Sequence, residues 1–178
     1  MAASERQARA EFADEGARWV EKLADQLFLR ATFAYGGELR LHFGKAVPYE
    51  NERMTGRTRG EWVLSLRATP WVLAADGALL SRSLDEQQHA LRHFEELEGK
   101  RLNATRLRRS DVAVTLRFEG DAWFMALTEP RQNKRKLELW EVLTPSGLFV
   151  VAWPNQAVTI ETPEVRGQAA GPKTDGQA

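Results

Sequence analysis

Twice along this chain the spacing of apolar residues changes from three or four to two, each time after a capped amphipathic stretch. That change of period marks a helix giving way to strands, and its recurrence limits the fold more than any other feature. Ser4 and Gln7 have the spacing of a capping box. Behind them Ala8, Phe12, Gly16, Trp19, Val20, Leu23 and Leu27 form one apolar stripe, which predicts a helix from Glu5 to Gln26. Phe28 to Tyr35 then reads as a strand, Gly36-Gly37 as a tight turn, and Glu38 to Phe43 as a strand with Leu39, Leu41 and Phe43 facing inward. Further strands are expected at 62–67, 71–75 and 78–81.

The pattern restarts at Ser83 and Glu86, a second capping-box spacing. Leu84, Leu91, Phe94 and Leu97 give the second helical stripe, and Gly99 stands where a helix-ending glycine belongs. Strands are expected at 101–107, 112–118, 122–128, 137–143, 148–153 and 156–161. The halves align by residue type. Leu29 to Thr32 matches Leu102 to Thr105, and Glu38 to Leu41 matches Asp111 to Val114, both 73 residues apart. Beyond the middle loop Trp62 matches Trp140 and Trp71 to Ala74 matches Phe149 to Ala152, 78 residues apart. One helix with a few strands buries its apolar face poorly at about 75 to 80 residues, whereas two such units pack into one core. The expectation is an α+β fold: two related helix-plus-antiparallel-strand halves, 5–81 and 84–161, packed into one pseudo-twofold β-rich domain. From Thr162 to Ala178 no periodicity survives, and a disordered tail is expected.

The order Glu-Leu-Arg-Leu-His-Phe-Gly (38–44), Gly-Glu-Trp-Val-Leu (60–64), Trp-Val-Leu (71–73), Leu-Glu-Gly-Lys-Arg-Leu (97–102) and Leu-Trp-Glu-Val-Leu-Thr-Pro-Ser-Gly (139–147) resembles small uncharacterised bacterial β-rich proteins. Some of those resemble immunity partners of polymorphic toxins. The resemblance covers about residues 28 to 160, implies a protein-binding role, and transfers no functional residue.

Catalytic signatures are missing. The chain has no cysteine, which removes disulfides, thiolate metal sites and cysteine nucleophiles. There is no Gly-x-Ser-x-Gly elbow, no dinucleotide glycine fingerprint and no phosphate loop. His89 and His93 are spaced as two ligands on one helix face, with Glu86 and Glu96 on the same side. Ala90 stands where a metalloprotease needs glutamate, so a solvated polar face is expected there. His42 falls on the polar side of its strand beside Glu38 and Arg40. A glycosidase-like carboxylate pair depends on spatial separation and stays open. No cofactor and no enzymatic activity are expected.

The formal net charge is zero, so no global field draws the chain to polyanions, and binding must come from local charge. The middle loop of the first half carries Arg53, Arg57 and Arg59; that of the second carries Arg131, Lys134, Arg135 and Lys136. These residues, with Trp153 at a strand end, form the expected partner-binding surface. The expected role is a non-enzymatic protein-binding or regulatory protein acting through charged loops on a β scaffold. The alternative is a nucleic-acid-associated accessory protein using the same loops. No membrane partner is expected, because no run approaches the ~20 apolar residues of a spanning helix. The N-terminal sequence lacks a signal-peptide pattern, and a cytoplasmic location is expected.

Overall fold

The computed structural model describes residues 15–49, 55–67, 69–127, 137–154 and 158–164. The described part of the first helix, α1, covers 15–21. Strands β1 (Phe28–Phe33), β2 (Leu39–Pro48), β3 (Thr58–Leu66), β4 (Trp71–Ala75) and β5 (Ala78–Arg82) precede helix α2 (Gln87–Glu95). Then come β6 (Leu102–Arg108), β7 (Ala113–Phe118), β8 (Trp123–Ala126), β9 (Trp140–Leu143), β10 (Phe149–Ala152) and β11 (Val158–Glu161).

The strands form two antiparallel sheets, of order β1-β2-β3-β9-β10-β11 and β5-β4-β8-β7-β6. The fold is thus a β-rich α+β arrangement in which each sheet draws strands from both ends of the chain. Three strands of each half pair in sequence, and the strands that follow cross to the other sheet. One buried cluster joins the inward faces of both sheets to both helices. At its centre Phe28 contacts Phe43, Phe94 and Phe118.

The sheets meet where β1 and β6 begin. Leu27 and Arg101 form a bridge. Beside it the Phe28 N–H donates to the Lys100 carbonyl and the Leu102 N–H to the Gln26 carbonyl, both at 2.9 Å. The Asp25 N–H donates to the Leu102 carbonyl at 2.7 Å and the Gly99 N–H to the Phe28 carbonyl at 2.8 Å. Asp25 and Gly99 are both left-handed, with φ of 66° and 79°, so each helix ends in the conformation that returns the chain to its strand. Helix α1 lies close against β11. A Cβ on Gly16 would stand 2.4 Å from Val158 Cγ1, and only glycine permits that approach.

Several expectations are corrected. Leu84 is 84% exposed and leaves the stripe; the expected Phe94 and Leu97 are buried, joined by Ala90. Its N-cap is Glu86, without a side-chain cap bond. The preceding turn is held by Asp85, which accepts from Ser81 Oγ at 3.0 Å and from the Arg82 N–H at 2.8 Å. The residue matching also slips. A bulge follows Phe28 in β1 and Leu102 in β6, so those two residues, 74 apart, hold like positions. Trp140 opens a strand that crosses between sheets, and so does Trp71; Trp62 lies one strand earlier. The two basic loops are not counterparts either. One joins β2 to β3 within a sheet, and the other joins β8 to β9 across sheets.

Candidate functional site

The outward face of the six-stranded sheet carries the site. Strand alternation puts Leu39, Leu41 and Phe43 into the core, so Arg40 and His42 point the other way. Register sets Arg30 beside His42 and Thr32 beside Arg40. The pair β2–β3 then continues past a bulge between Phe43 and Ala46, where Gly44 is left-handed at φ 78°. A bulge bends and twists its strand. Beyond it the two strands form an arm, in which Val47 pairs with Arg59, Pro48 with Thr58, and the Tyr49 N–H donates to the Arg57 carbonyl at 3.2 Å. Between arm and sheet lies a cleft of about 560 Å³, bounded by Arg30, Thr32, Arg40 and His42 on one side and Tyr49, Arg57 and Thr58 on the other.

His42 is 1% exposed, although it stands on the outward face. The Gly60 N–H donates to its Nδ1 at 3.2 Å, which leaves Nε2 to carry the proton and donate to Thr32 Oγ1 at 3.0 Å. Burial, and after it the charges of Arg30, Arg40 and Arg59, hold the ring neutral and lower its pKa to about 4. Because Thr32 Oγ1 accepts from the ring, its own proton is free to point into the cleft. His42 is therefore a rigid neutral support, with no lone pair left for proton abstraction.

Among the described residues the arginines around it are short of counter-charge. Arg40 Nε pairs with Glu38 at 2.7 Å, but Glu38 also pairs with Arg67 at 3.1 Å. Arg30 donates to the Thr58 carbonyl and, at 3.3 Å, to Thr58 Oγ1. Arg59 donates to the carbonyls of Gly60 at 3.0 Å and Glu61 at 3.4 Å. Among the described residues Arg30, Arg57 and Arg59 form no ion pair. Neutral carbonyls orient the guanidinium groups without cancelling their charge. Such a cleft attracts an anion with donors already in place.

Of the expected surface, Arg57 lines this cleft and Arg59 a smaller compartment beside it, while Arg53, Arg131, Lys134, Arg135 and Lys136 lie outside the described residues. Trp153 is half-buried, and its indole N–H donates to Thr159 Oγ1 at 2.9 Å, so it is engaged within the fold. Of the tail expected at 162–178, residues 162–164 are described and exposed; the rest lies outside the described residues. The loop reading missed Arg30, Thr32 and Tyr49. Their signal was weak: Arg30 and Thr32 alternate with apolar neighbours as any strand does. His89 and His93 stack edge to face at 4.8 Å, and His93 Nδ1 lies 3.8 Å from Glu96. Among the described residues no group of three or more His, Cys, Asp or Glu is placed to hold a metal, and no helix is long and apolar enough to cross a membrane. Compared with known proteins, the chain matches no family model, no curated sequence and no solved structure.

Proposed function

We propose that this chain is a non-enzymatic binding protein that receives an acidic segment of a protein partner in the arginine-lined cleft. One observation carries the reading: Arg30 and Arg57, without a carboxylate partner among the described residues, line one cleft with a histidine held neutral, and Arg59 borders the compartment beside it. A carboxylate entering there gains charge-assisted hydrogen bonds to Arg30, which Thr58 already orients, and to the exposed Arg57. Catalysis by the imidazole in this cleft is disfavoured because His42 has its Nδ1 committed to the Gly60 N–H. Nucleic acid is the second reading. Against it, Arg30, Arg40 and Arg57 gather at one cleft and do not spread along a surface stripe.

The architecture fits this role. We read the fold as a duplicated unit about a pseudo-twofold axis through the Leu27–Arg101 bridge. The hydrogen bond from Phe28 to Lys100 and that from Leu102 to Gln26 are then counterparts. An immunity-type partnership is one case of such binding and here requires an acidic toxin surface. A cysteine-free chain suits a cytoplasmic setting.

The test is fluorescence anisotropy with a labelled poly-glutamate decapeptide and a labelled single-stranded oligonucleotide. The peptide is expected to bind saturably, and Arg57→Glu, at an exposed position, to weaken it at least about tenfold. Arg117→Glu on the other sheet is the control and leaves binding unchanged. Oligonucleotide binding that falls steeply with salt, with no peptide binding, sinks the protein-partner reading in favour of nucleic acid.

A further inference from the structure

The cleft does not end at the arginines. A smaller compartment of about 150 Å³ continues it over β3, β9 and β10, bounded by Val63, Ser65, Glu141, Leu143 and Phe149 together with Arg59. Both compartments share Arg40 and Tyr49 as walls, so one occupant passes over that pair to fill both. Register aligns Arg30, His42, Val63, Leu143 and Phe149 in a single row across five strands. At about 4.8 Å per strand the row is about 19 Å long, the reach of an extended segment of about six residues.

The two ends differ in chemistry. The β1–β2 end presents Arg30, Arg57 and the Thr32 hydroxyl. The β9–β10 end presents the aliphatic and aromatic surfaces of Val63, Leu143 and Phe149. Its volume is roughly that of a cavity able to hold one benzene ring. Arg40, Arg59 and Glu141 bring charge of both signs to its walls, and Val63, Leu143 and Phe149 supply the apolar surface that an apolar side chain can cover. Resting on the binding role proposed above, we infer that the preferred occupant is an extended peptide in which an acidic run is followed by one large apolar side chain. The acidic run lies among the arginines, and the apolar side chain sits between Phe149, Leu143 and Val63.

Three synthetic hexapeptides of equal length test this: an acidic run ending in two glycines, the same run ending in leucine and glycine, and the same run ending in lysine and glycine. Anisotropy is expected to rank leucine about tenfold tighter than glycine, with lysine no better than glycine. In Phe149→Ala the leucine and glycine peptides should fall within about twofold of each other. Because that variant can perturb the sheet, nuclear Overhauser contacts between the leucine methyls and the Phe149 ring in the unmodified protein give a second reading. Equal affinity of the leucine and glycine peptides, both bound, overturns the apolar compartment and leaves the arginine cleft standing. Failure of all three peptides to bind overturns the cleft reading itself.

Discussion

The meander β1–β2–β3 and the meander β6–β7–β8 occupy like places in their sheets, yet one carries a cleft and the other an open face. Just past the bulge of each first strand stand Arg30 and Ala104; on each second strand the outward residues include His42 and Arg117. His42 is buried, whereas the Arg117 side chain is 66% exposed and faces Asp121 at 3.7 Å. The cause is the connection. β2 and β3 run on past the Gly44 bulge into an arm, while β7 and β8 close directly through residues 119–122. The hollow of about 450 Å³ beside Arg117 thus has its charge answered by Asp121 at its own rim. Meanders of similar order thus differ in shape: the one with an arm over it holds a cleft, and its Arg30 and Arg57 form no ion pair among the described residues.

The sharpest way to separate the two faces is pH. Between pH 6.5 and about 4 the unfolded chain takes up a proton at His42 that the folded chain refuses. Folding stability should therefore be full above pH 6.5, fall as pH drops through that window, and stay lost below it, by about 3 kcal/mol in all. Urea denaturation at a series of pH values measures this directly. His42→Gln keeps an acceptor for Gly60 and a donor for Thr32 but cannot titrate, so it should remove that part of the slope. If the variant and the parent protein lose stability in parallel, burial of His42 under the arm is not what sets it apart from Arg117.

The second contrast concerns the glycines of the two connections. A Cβ on Gly60 would stand 2.6 Å from both the N and the O of Phe43 and 2.7 Å from the Trp62 carbonyl, all backbone atoms that cannot step aside. Gly120 has φ 81°, and a Cβ there would meet Lys100 Nζ at 3.9 Å. Gly60→Ala should cost about 2 to 3 kcal/mol by forcing β2 and β3 apart, and Gly120→Ala about 1 kcal/mol through backbone strain alone. Thermal or urea unfolding of both variants checks the ranking; a Gly60→Ala cost no larger than that of Gly120→Ala means the arm is loosely held.

How far the chain revealed this in advance follows from what each signal contains. Alternation separates inward Leu39, Leu41 and Phe43 from outward Arg40 and His42, and turn glycines such as Gly99 mark their own positions. Alternation says which face a residue joins, not which strand it neighbours, so the crossing of β4 and β9 between sheets was invisible. A single bulge also defeats matching by residue type. Leu29 looks like Leu102, but Phe28 is the residue that precedes the bulge as Leu102 does. His42 falls on the polar side of its strand in the pattern, and its burial and its hydrogen bonds to Thr32 and Gly60 are features that no local pattern encodes.

The smallest expected effect tests whether charge pairing differs between the faces as burial does. Glu38 and Arg40 side chains are 11% and 32% exposed, and their contact of 2.7 Å is a direct hydrogen bond. Arg117 and Asp121 are 66% and 81% exposed and lie 3.7 Å apart. Water screens the second pair far more, and ordering two exposed side chains offsets most of its attraction. Double-mutant cycles on unfolding free energy should therefore give a coupling of about 1 kcal/mol for Glu38 with Arg40 and below about 0.3 kcal/mol for Arg117 with Asp121. Raising the salt concentration should shrink the first coupling only in part, because the arm and the sheet shield it from counter-ions. Equal couplings would mean that the arm leaves its arginines as well solvated as those of the open face. The attraction of the cleft for an acidic segment would then be no greater than that of any exposed arginine pair.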